Sequence, residues 1–391
     1  MPIGVFVLAA AVFAQGTSEF MMSGLLARTA ADFGVSLGAV GLLTSVYAVG
    51  MVLGAPVMAV TAGRWPLRRS ATTFLALFCV AHVISALTTD FAVLVATRAV
   101  AAVANAGFLA IVLAALPRLV GPALVGRATS IIVSGVTVAC IAGVPTGTLL
   151  GQLWGWRSAF WAVAVVSAVV LVPVASLVPR DGAGAGASDR STRSEWAVLG
   201  MRAVRSAVIV GVLVNAATFA AFTYLGTIAA AIGGTTTVWV PLVLALFGLG
   251  SFAGVTLTGR YSDRHGHSII TVGAAGLVGV WALAAMTAHT MAGLAVMTLL
   301  TGAAAFGVGS ALIATIVRTA APRLAGALAT TALNIGAVLG PIVAGVAVDR
   351  AKTPVAALWC ATGAAALAAA IVLSDRARRG PVVDGVGTAA R

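Results

Sequence analysis

The stretch PIGVFVLAAAVFAQGTSEFMMSGLLA, residues 2–27, decides what kind of protein this chain forms. It is longer than the roughly 20 apolar residues that a helix needs to cross a bilayer. A strand of a membrane barrel would be about 10 residues long and would alternate between apolar and polar side chains. The apolar part of a cleavable signal would be about 7–15 residues long and would follow basic residues. The run therefore predicts a first transmembrane helix, with Glu19 as its one charged side chain.

The whole chain has the composition of a membrane protein. Of its 391 residues, 61% are hydrophobic and only 8% are charged, and the mean hydropathy is +1.10. A soluble protein carries about 25% charged residues, so a soluble domain is excluded. The apolar runs predict an all-α membrane protein with twelve transmembrane helices. They lie near residues 3–27, 36–61, 70–88, 91–116, 128–151, 158–178, 206–231, 238–258, 268–288, 291–316, 324–348 and 354–374.

The basic residues predict how the chain is oriented in the membrane. With the N-terminus inside, 18 of the 23 Lys and Arg residues fall on the cytoplasmic side, four fall outside and Arg98 falls within a span. Cytoplasmic loops of membrane proteins carry such an excess. The formal charge of +13 therefore reflects topology and not a nucleic-acid surface. We expect a multi-pass protein of the cytoplasmic membrane, embedded in the lipid bilayer, with both termini in the cytoplasm.

A polar segment divides the chain into two similar halves. Residues 179–205, PRDGAGAGASDRSTRSEWAVLGMRAVR, have the glycine, serine and charge content of a flexible linker. We expect this linker to be cytoplasmic and to join an N-terminal six-helix bundle, residues 1–178, to a C-terminal one with a short cytoplasmic tail, residues 206–391. The halves resemble each other at an offset of 200 residues, in the pairs Gln15 and Asn215, Gly50 and Gly250, Gly54 and Gly254, Arg64 and Arg264, and Gly107 and Gly307.

Six-plus-six parallel repeats are an architecture of secondary transporters, which bind their substrate between the halves. One chain would then hold a complete transport unit, so we expect a monomer. The spans contain no HExxH motif and no carboxylate cluster, so we do not expect an enzyme, and we expect no cofactor and no metal. The chain has one lysine, Lys352 in RAKTP, and therefore lacks the GxxxxGK[ST] phosphate loop of an ATP-driven pump.

Glu19 and Arg98 are the only full charges that we place inside the spans. A charge at the bilayer centre costs roughly 2.5 kcal/mol or more, and opposite charges there pair or face a wet cavity. Counting 1.5 Å per residue from the span ends puts the two at similar depths. Burial favours the neutral carboxyl and a nearby arginine favours the ionised one, so a rearrangement could load or release a proton. A purely structural pair is the alternative.

Several stretches carry a resemblance to a known family. A loop motif occurs once in each half. The second-half copy, GRYSDRHGH at residues 259–267, contains Asp263 and Arg264. The first-half copy, TAGRWPLRR at residues 61–69, keeps Arg64 but has Gly63 in place of the aspartate. In span 4, LVATRAVAAVANAGF contains Arg98, and GTSEF in span 1 contains Glu19. Span 5, GVTVACIAGVPTGTLLG, is rich in glycine around a proline, with Gly135, Gly143, Pro145 and Gly147.

These stretches resemble the major facilitator superfamily and, within it, the twelve-span drug/proton antiporters, most of all the chloramphenicol-efflux proteins of actinomycetes. The resemblance covers nearly the whole chain. It implies antibiotic efflux by alternating access, with Glu19 as the proton carrier and the loop motif as a gating contact. The alternative to gating is that the arginines of the loop motif only fix the orientation of the chain in the membrane. For span 5, the resemblance implies an antiporter motif, and a packing seam of small residues is the alternative.

A drug-sized site between the halves would be mostly apolar with a few polar groups, which suits a small, neutral, amphipathic drug. A sugar or metabolite exporter of the same branch is the runner-up. Each candidate amide could instead form a hydrogen bond between helices. The candidate cavity residues are Gln15, Thr17, Ser18, Tyr47, Asn105, Asn215, Thr218, Phe222, Tyr224 and Asn334.

Overall fold

A computed structural model describes residues 1–62, 66–121, 124–178, 201–234, 238–319 and 325–379. These residues form thirteen α-helices and a π-helical segment, Ala139–Gly143, and they include no strand. The helices are α1 (Ile3–Phe20), α2 (Met22–Phe33), α3 (Leu37–Ala62), α4 (Leu67–Leu87), α5 (Phe91–Val120), α6 (Val125–Val138), α7 (Val144–Trp154), α8 (Arg157–Leu177), α9 (Arg202–Gly233), α10 (Trp239–Thr287), α11 (Met291–Thr319), α12 (Ala325–Ala351) and α13 (Ala356–Arg379).

The twelve predicted spans are confirmed: twelve stretches of these helices are long and apolar enough to cross a membrane. The all-helical fold class is confirmed with them. Most of the predicted linker, residues 179–200, lies outside the described residues. Helix α9 begins at Arg202, a few residues before the predicted end of that linker.

Helix α10 contains two spans, Trp239–Arg260 and Ser268–Thr287. In a straight helix, Phe247 and Trp281 would be about 51 Å apart, at 1.5 Å per residue. The two side chains nevertheless line one cavity. The two spans therefore fold back on each other, as two separate transmembrane helices do.

The first span is interrupted at Met21, between α1 and α2. The Met21 N–H donates to the Thr17 carbonyl, and this is the last intrahelical bond of α1. The Ser18 carbonyl accepts instead from Nη1 of Arg98 on α5, at 3.0 Å. A side chain that inserts into the backbone ladder is a common cause of a helix break. Arg98 therefore reaches the backbone of α1 one residue before Glu19.

The fifth span changes helical form in its middle, from α6 through the π-helical segment to α7. Pro145 lies at the start of α7 and has no backbone N–H to donate to a preceding turn. A π-helical turn is the usual way to absorb such a missing bond within a helix.

The glycine pairs that suggested a repeat make equivalent contacts in the two halves. A Cβ atom on Gly50 would meet the backbone carbonyl of Ala99, and a Cβ atom on Gly250 would meet that of Leu299. The two partners differ by 200 residues, as the glycines do. Gly54 and Gly254 likewise face Val103 and Ala303. The close approach of spans 2 and 4 is thus repeated between spans 8 and 10.

The ends of the bundle differ in charge and in contacts. We call the end that carries Arg68, Arg127 and Arg202 the arginine-rich end, and the end that carries Asp32 and Asp349 the arginine-poor end. Apolar clusters that include both halves lie in the middle and towards the arginine-poor end. Among the described residues, clusters at the arginine-rich end stay within one half. In the part of the chain that the structure describes, the apolar contacts between the halves thus lie in the middle and towards the arginine-poor end.

Candidate functional site

Glu19 lies near the end of α1, beside a group of buried polar side chains from spans 2, 3 and 4. It is half-buried itself, whereas Ser18 and Arg98 are almost inaccessible, at 0% and 1% exposure. Asn105 and Arg98, both on α5, act electrostatically on the Glu19 carboxylate. The structure thus brings five of the predicted site residues together around one carboxylate: Ser18, Glu19, Tyr47, Arg98 and Asn105.

Arg98 contacts α1 and α3 at the same time. Its Nη1 donates to the Ser18 carbonyl and to Ser18 Oγ, at 3.0 and 2.8 Å. Its guanidinium carbon lies 4.2 Å from the ring centroid of Tyr47, which is cation–π geometry. Its Nε and Nη2 are buried and have no hydrogen-bond partner among the described residues. No ion pair within 4.0 Å joins the described residues Arg98 and Glu19, so Arg98 acts on Glu19 without a direct ion pair.

His82 on α4 belongs to the same group, although we did not place it among the candidates. Its Nε2 lies 2.6 Å from Ser18 Oγ, and its Nδ1 lies 2.7 Å from the Phe78 carbonyl. The ring packs between Phe78 and Phe160, with centroids at 4.2 and 5.8 Å. A single histidine in an apolar span gives no sequence signal for a contact with a residue 64 positions away.

Tyr47 and Asn105 support the group from spans 2 and 4. Asn105 Nδ2 donates to the Tyr47 hydroxyl at 3.1 Å, and both side chains are buried. Gln15 lies one turn before Glu19 on α1 and is fully buried, and neither atom of its amide has a protein partner among the described residues. Thr17 turns away, donates to the Phe13 carbonyl and packs against span 5.

The candidates from the C-terminal half lie outside this group. Asn215 Nδ2 donates to the Leu333 carbonyl at 2.5 Å, so it joins spans 7 and 11. Thr218 and Asn334 donate to carbonyls of their own helices. Tyr224 is buried with residues of both halves and donates to the Pro341 carbonyl at 3.4 Å, which makes it part of the contact between the halves.

Aromatic rings of the C-terminal half pack against α1 at the residue that follows Glu19. Phe20, the neighbour of Glu19, contacts Phe219 and Phe222, with ring centroids at 5.9 and 5.8 Å. Phe222 in turn contacts Phe247 at 4.8 Å. The surface between the halves is therefore aromatic around Phe20.

The glycines of span 5 are used mainly within the N-terminal half. A Cβ atom on Gly143 would lie 3.0 Å from Thr17 Cβ, and one on Gly135 would lie 2.6 Å from the Ala9 carbonyl oxygen. Gly147 has only ordinary contacts. Span 5 contacts the other half through the Cys140 carbonyl, which faces Gly248, and through Val144, which is buried among residues of the C-terminal half. Arg64 lies outside the described residues, as do the side chains of Asp263 and Arg264.

Asp349 closes the arginine-poor end between the halves. Its Oδ2 accepts from the Ser36 hydroxyl at 2.7 Å, and its Oδ1 accepts from the Gly38 N–H at 3.1 Å. Ser45 Oγ donates to the Val338 carbonyl at 2.9 Å, and Ser23 Oγ donates to the Phe222 carbonyl. These contacts could not be predicted from the sequence, because short polar residues are usual in the spans of any membrane protein.

Twelve spans, with equivalent glycine contacts in the first six and the last six and with a buried polar group beside Glu19, are typical of a multi-pass membrane transporter. The chain matches the Major Facilitator Superfamily over residues 8–327 and belongs to that family. The family resemblance stated from the sequence is therefore confirmed.

Relatives of known name support the same assignment. The chain is 44% identical over 362 residues to the "Chloramphenicol resistance protein" of Streptomyces lividans, covering 92% of each chain. It is 32% identical to the "Inner membrane transport protein YdhP" of Escherichia coli (strain K12), covering 88% of each.

Solved structures support the fold alone, because their identities with this chain are low. The nucleoside transporter NupG has a TM-score of 0.76 at 13% identity, covering 97% of this chain and 100% of its own. A bacterial homologue of the human lysosomal transporter Spinster, in an inward-facing and unoccupied conformation, has a TM-score of 0.77 at 15% identity, covering 96% of this chain and 95% of its own.

Proposed function

We propose that this transporter exports a small amphipathic antibiotic of the chloramphenicol type across the cytoplasmic membrane in exchange for protons. The observation that carries the proposal is the single carboxylate, Glu19, placed beside Arg98 and next to the surface between the halves. The name of the Streptomyces lividans relative supports an antibiotic as the substrate. Both termini would lie in the cytoplasm, so that the arginine-rich end faces inwards.

In this mechanism, Glu19 carries the proton. In the form described above, the halves are joined at the arginine-poor end, so the protein would face the cytoplasm. Drug binding between the halves would favour release of the proton from Glu19 to the cytoplasm, because a nearby Arg98 favours the ionised carboxylate. Protonation from the outside after the switch would remove the charge and let the empty carrier return.

The drug would bind at the boundary between the aromatic and the polar groups. Phe20, Phe219 and Phe222 would cover an aromatic ring, and aromatic pairs add about 0.5–1.5 kcal/mol beyond the burial of their surface. Gln15 and Asn105 would offer amide groups to hydroxyl and carbonyl groups of the drug. One carboxylate and one guanidinium leave little net charge in the site, which suits a neutral drug.

The test is drug-driven proton movement in vesicles that contain the purified protein, with Glu19→Gln beside the wild type. We expect the variant to lose coupled proton movement and to stop conferring resistance in a sensitive host. Asp90→Asn is the matched control, because Asp90 is an exposed acid that caps α5 through the Ala92 N–H at 2.7 Å, a bond that asparagine can also accept. Coupled transport that survives in Glu19→Gln would overturn the proposal.

The substrate class needs its own comparison. Resistance to chloramphenicol and efflux of a sugar would be measured in the same host and at the same expression level. We expect resistance without sugar efflux. Sugar efflux without resistance would assign the protein to the metabolite exporters.

A further inference from the structure

We propose that His82, acting through Ser18, is a positioning residue that holds Arg98 away from a direct ion pair with Glu19. The carboxyl group is then influenced by the guanidinium but is still able to take up a proton. The inference rests on the proposed role of Glu19 as the proton carrier. It adds that the hydrogen bonds of His82, Ser18 and Arg98 set how readily Glu19 takes up the proton.

The directions of the hydrogen bonds follow from the chemistry of the partners. The Phe78 carbonyl can only accept, so Nδ1 of His82 must carry the ring proton. Nε2 of the neutral ring is then an acceptor, and the Ser18 hydroxyl donates to it at 2.6 Å. The Ser18 oxygen is left to accept from Nη1 of Arg98, at 2.8 Å. All three groups are fixed in one chain of bonds, from a backbone carbonyl of α4 to the guanidinium.

Arg98 needs such a restraint. Its Nε and Nη2 are buried donors without a partner among the described residues, and a carboxylate lies close by. A buried cation with free donors is strongly attracted to a carboxylate, because the low dielectric strengthens the attraction. The absence of an ion pair within 4.0 Å between two described residues therefore has to be explained. Ser18 supplies the explanation, because it binds the same nitrogen, Nη1, through both its carbonyl and its hydroxyl.

Other titratable groups around Glu19 do not replace this restraint. Tyr47 on α3 and Cys140 in the π-helical segment interact electrostatically with the carboxylate, and a phenol and a thiol are ordinarily uncharged at neutral pH. The C-terminal half contributes rings here, with Phe219 and Phe222 against Phe20. Among the described neighbours of Glu19, Arg98 is the group with a full charge. Its position therefore decides between the protonated and the ionised form of the Glu19 carboxyl.

The test measures protonation of Glu19 directly and does not depend on transport. A hydrophobic carbodiimide labels buried carboxyl groups in their protonated form, and mass spectrometry of the purified full chain gives the labelled fraction of Glu19 at each pH. The variants are Ser18→Ala, which removes the hydroxyl, and His82→Phe, which keeps a ring between Phe78 and Phe160. His82→Gln retains an acceptor and a donor.

We expect the midpoint of labelling to move to lower pH by about one unit or more in Ser18→Ala and in His82→Phe, the effect of an opposite charge brought into contact. His82→Gln should have the wild-type midpoint. The double variant Ser18→Ala with His82→Phe should shift no further than Ser18→Ala alone. His289→Phe is the control, because His289 also contacts the carbonyl of the preceding turn, Met286, at 2.8 Å, but lies exposed at a span end.

Two results would overturn the inference. An unchanged midpoint in Ser18→Ala would mean that the hydroxyl restrains nothing, and a shift to higher pH would mean that it holds Arg98 towards Glu19. If His82→Phe fails to fold, Ser18→Ala and His82→Gln still decide the question. A protein that shifts as expected but moves no drug would contradict the proposed function and leave the positioning role intact.

Discussion

At the scale of single residues, Tyr47 makes two contacts that a pair of variants can separate. Its ring lies under the Arg98 guanidinium and its hydroxyl accepts from Asn105. Tyr47→Phe should cost about 1 kcal/mol, for one buried hydrogen bond. Tyr47→Leu should cost about 2 kcal/mol more, because it also removes a desolvated cation–π contact. Unfolding temperatures of the two variants in detergent measure the difference, and equal temperatures would mean that the ring adds nothing to the stability.

The sequence was informative about which residues matter here, and less so about how they touch. Glu19 and Arg98 stand out because a charge inside an apolar run needs a reason. The direct hydrogen-bond partner of Arg98 is nonetheless Ser18, and Ser18 in turn forms a hydrogen bond with His82. A serine in a span is too common to be singled out from one sequence. Tyr224 was a cavity candidate but lies in the contact between the halves. An apolar helix has no clear polar face, so its sequence does not indicate whether a tyrosine faces a cavity or a neighbouring helix.

At the scale of elements, the seam between α1 and the fifth span depends on Gly143. Gly143→Ala would place a methyl group against the Thr17 side chain, and overpacking of this kind typically costs about 1–3 kcal/mol. Thr17→Ala should recover part of that loss, because two of the three atoms in the way belong to the threonine side chain beyond Cβ. The unfolding temperatures of both single variants and the double variant measure the recovery.

Gly135→Ala is the matched control for this seam. Its methyl group would meet the Ala9 carbonyl and the Phe13 N–H, which are backbone atoms. Thr17→Ala should therefore give Gly135→Ala no relief. Equal rescue of the two glycine variants would contradict the assignment of the clash to Thr17.

A second element-scale contact joins α2 to the corner between α7 and α8. Hydrogen bonds from the Trp156 indole and the Arg157 guanidinium hold the pKa of the Asp32 carboxyl below its ordinary value of 3.8. Because the pKa is lowered on folding, the contact stabilises the protein above about pH 4, and the contribution is lost as the pH falls through the lowered value. Asp32→Asn should unfold at a lower temperature than the wild type at neutral pH, and the gap should be smaller at about pH 3, below the ordinary pKa of the carboxyl. A gap that is the same at both pH values would contradict this.

Hydropathy predicts the spans of this chain but not the breaks within them. The length and composition of the apolar runs predicted every span, because the thickness of the bilayer fixes how many apolar residues a helix needs. The break at Met21 was not predictable, since Met21 is neither a proline nor a glycine and the cause is Arg98, a residue of another span. The π-helical segment is different, because Pro145 marks it in the sequence.

At the scale of the whole molecule, the described residues include a few polar contacts between the halves, and those of Asp349 are the most accessible to experiment. Asp349→Ala removes the acceptor of the Ser36 hydroxyl and of the Gly38 N–H. A half-exposed contact of this kind is worth about 1 kcal/mol, so the population that opens at the arginine-poor end should rise about fivefold. In the proposed exchange cycle, this change favours the outward-facing form and should weaken drug binding from the cytoplasm.

Thiol labelling can report this opening. In a background with Cys79, Cys140 and Cys360 replaced by serine, Ser45→Cys places a thiol between the halves, where Ser45 contacts the Val338 carbonyl. We expect a membrane-impermeant maleimide added outside to label it about five times faster when Asp349→Ala is present. Ser85→Cys is the matched control, since Ser85 is as buried as Ser45, at 2%, but bonds to Thr97 within one half. Faster labelling at both positions would indicate loosening of the whole bundle, and no change at Ser45→Cys would mean that Asp349 does not hold the halves together.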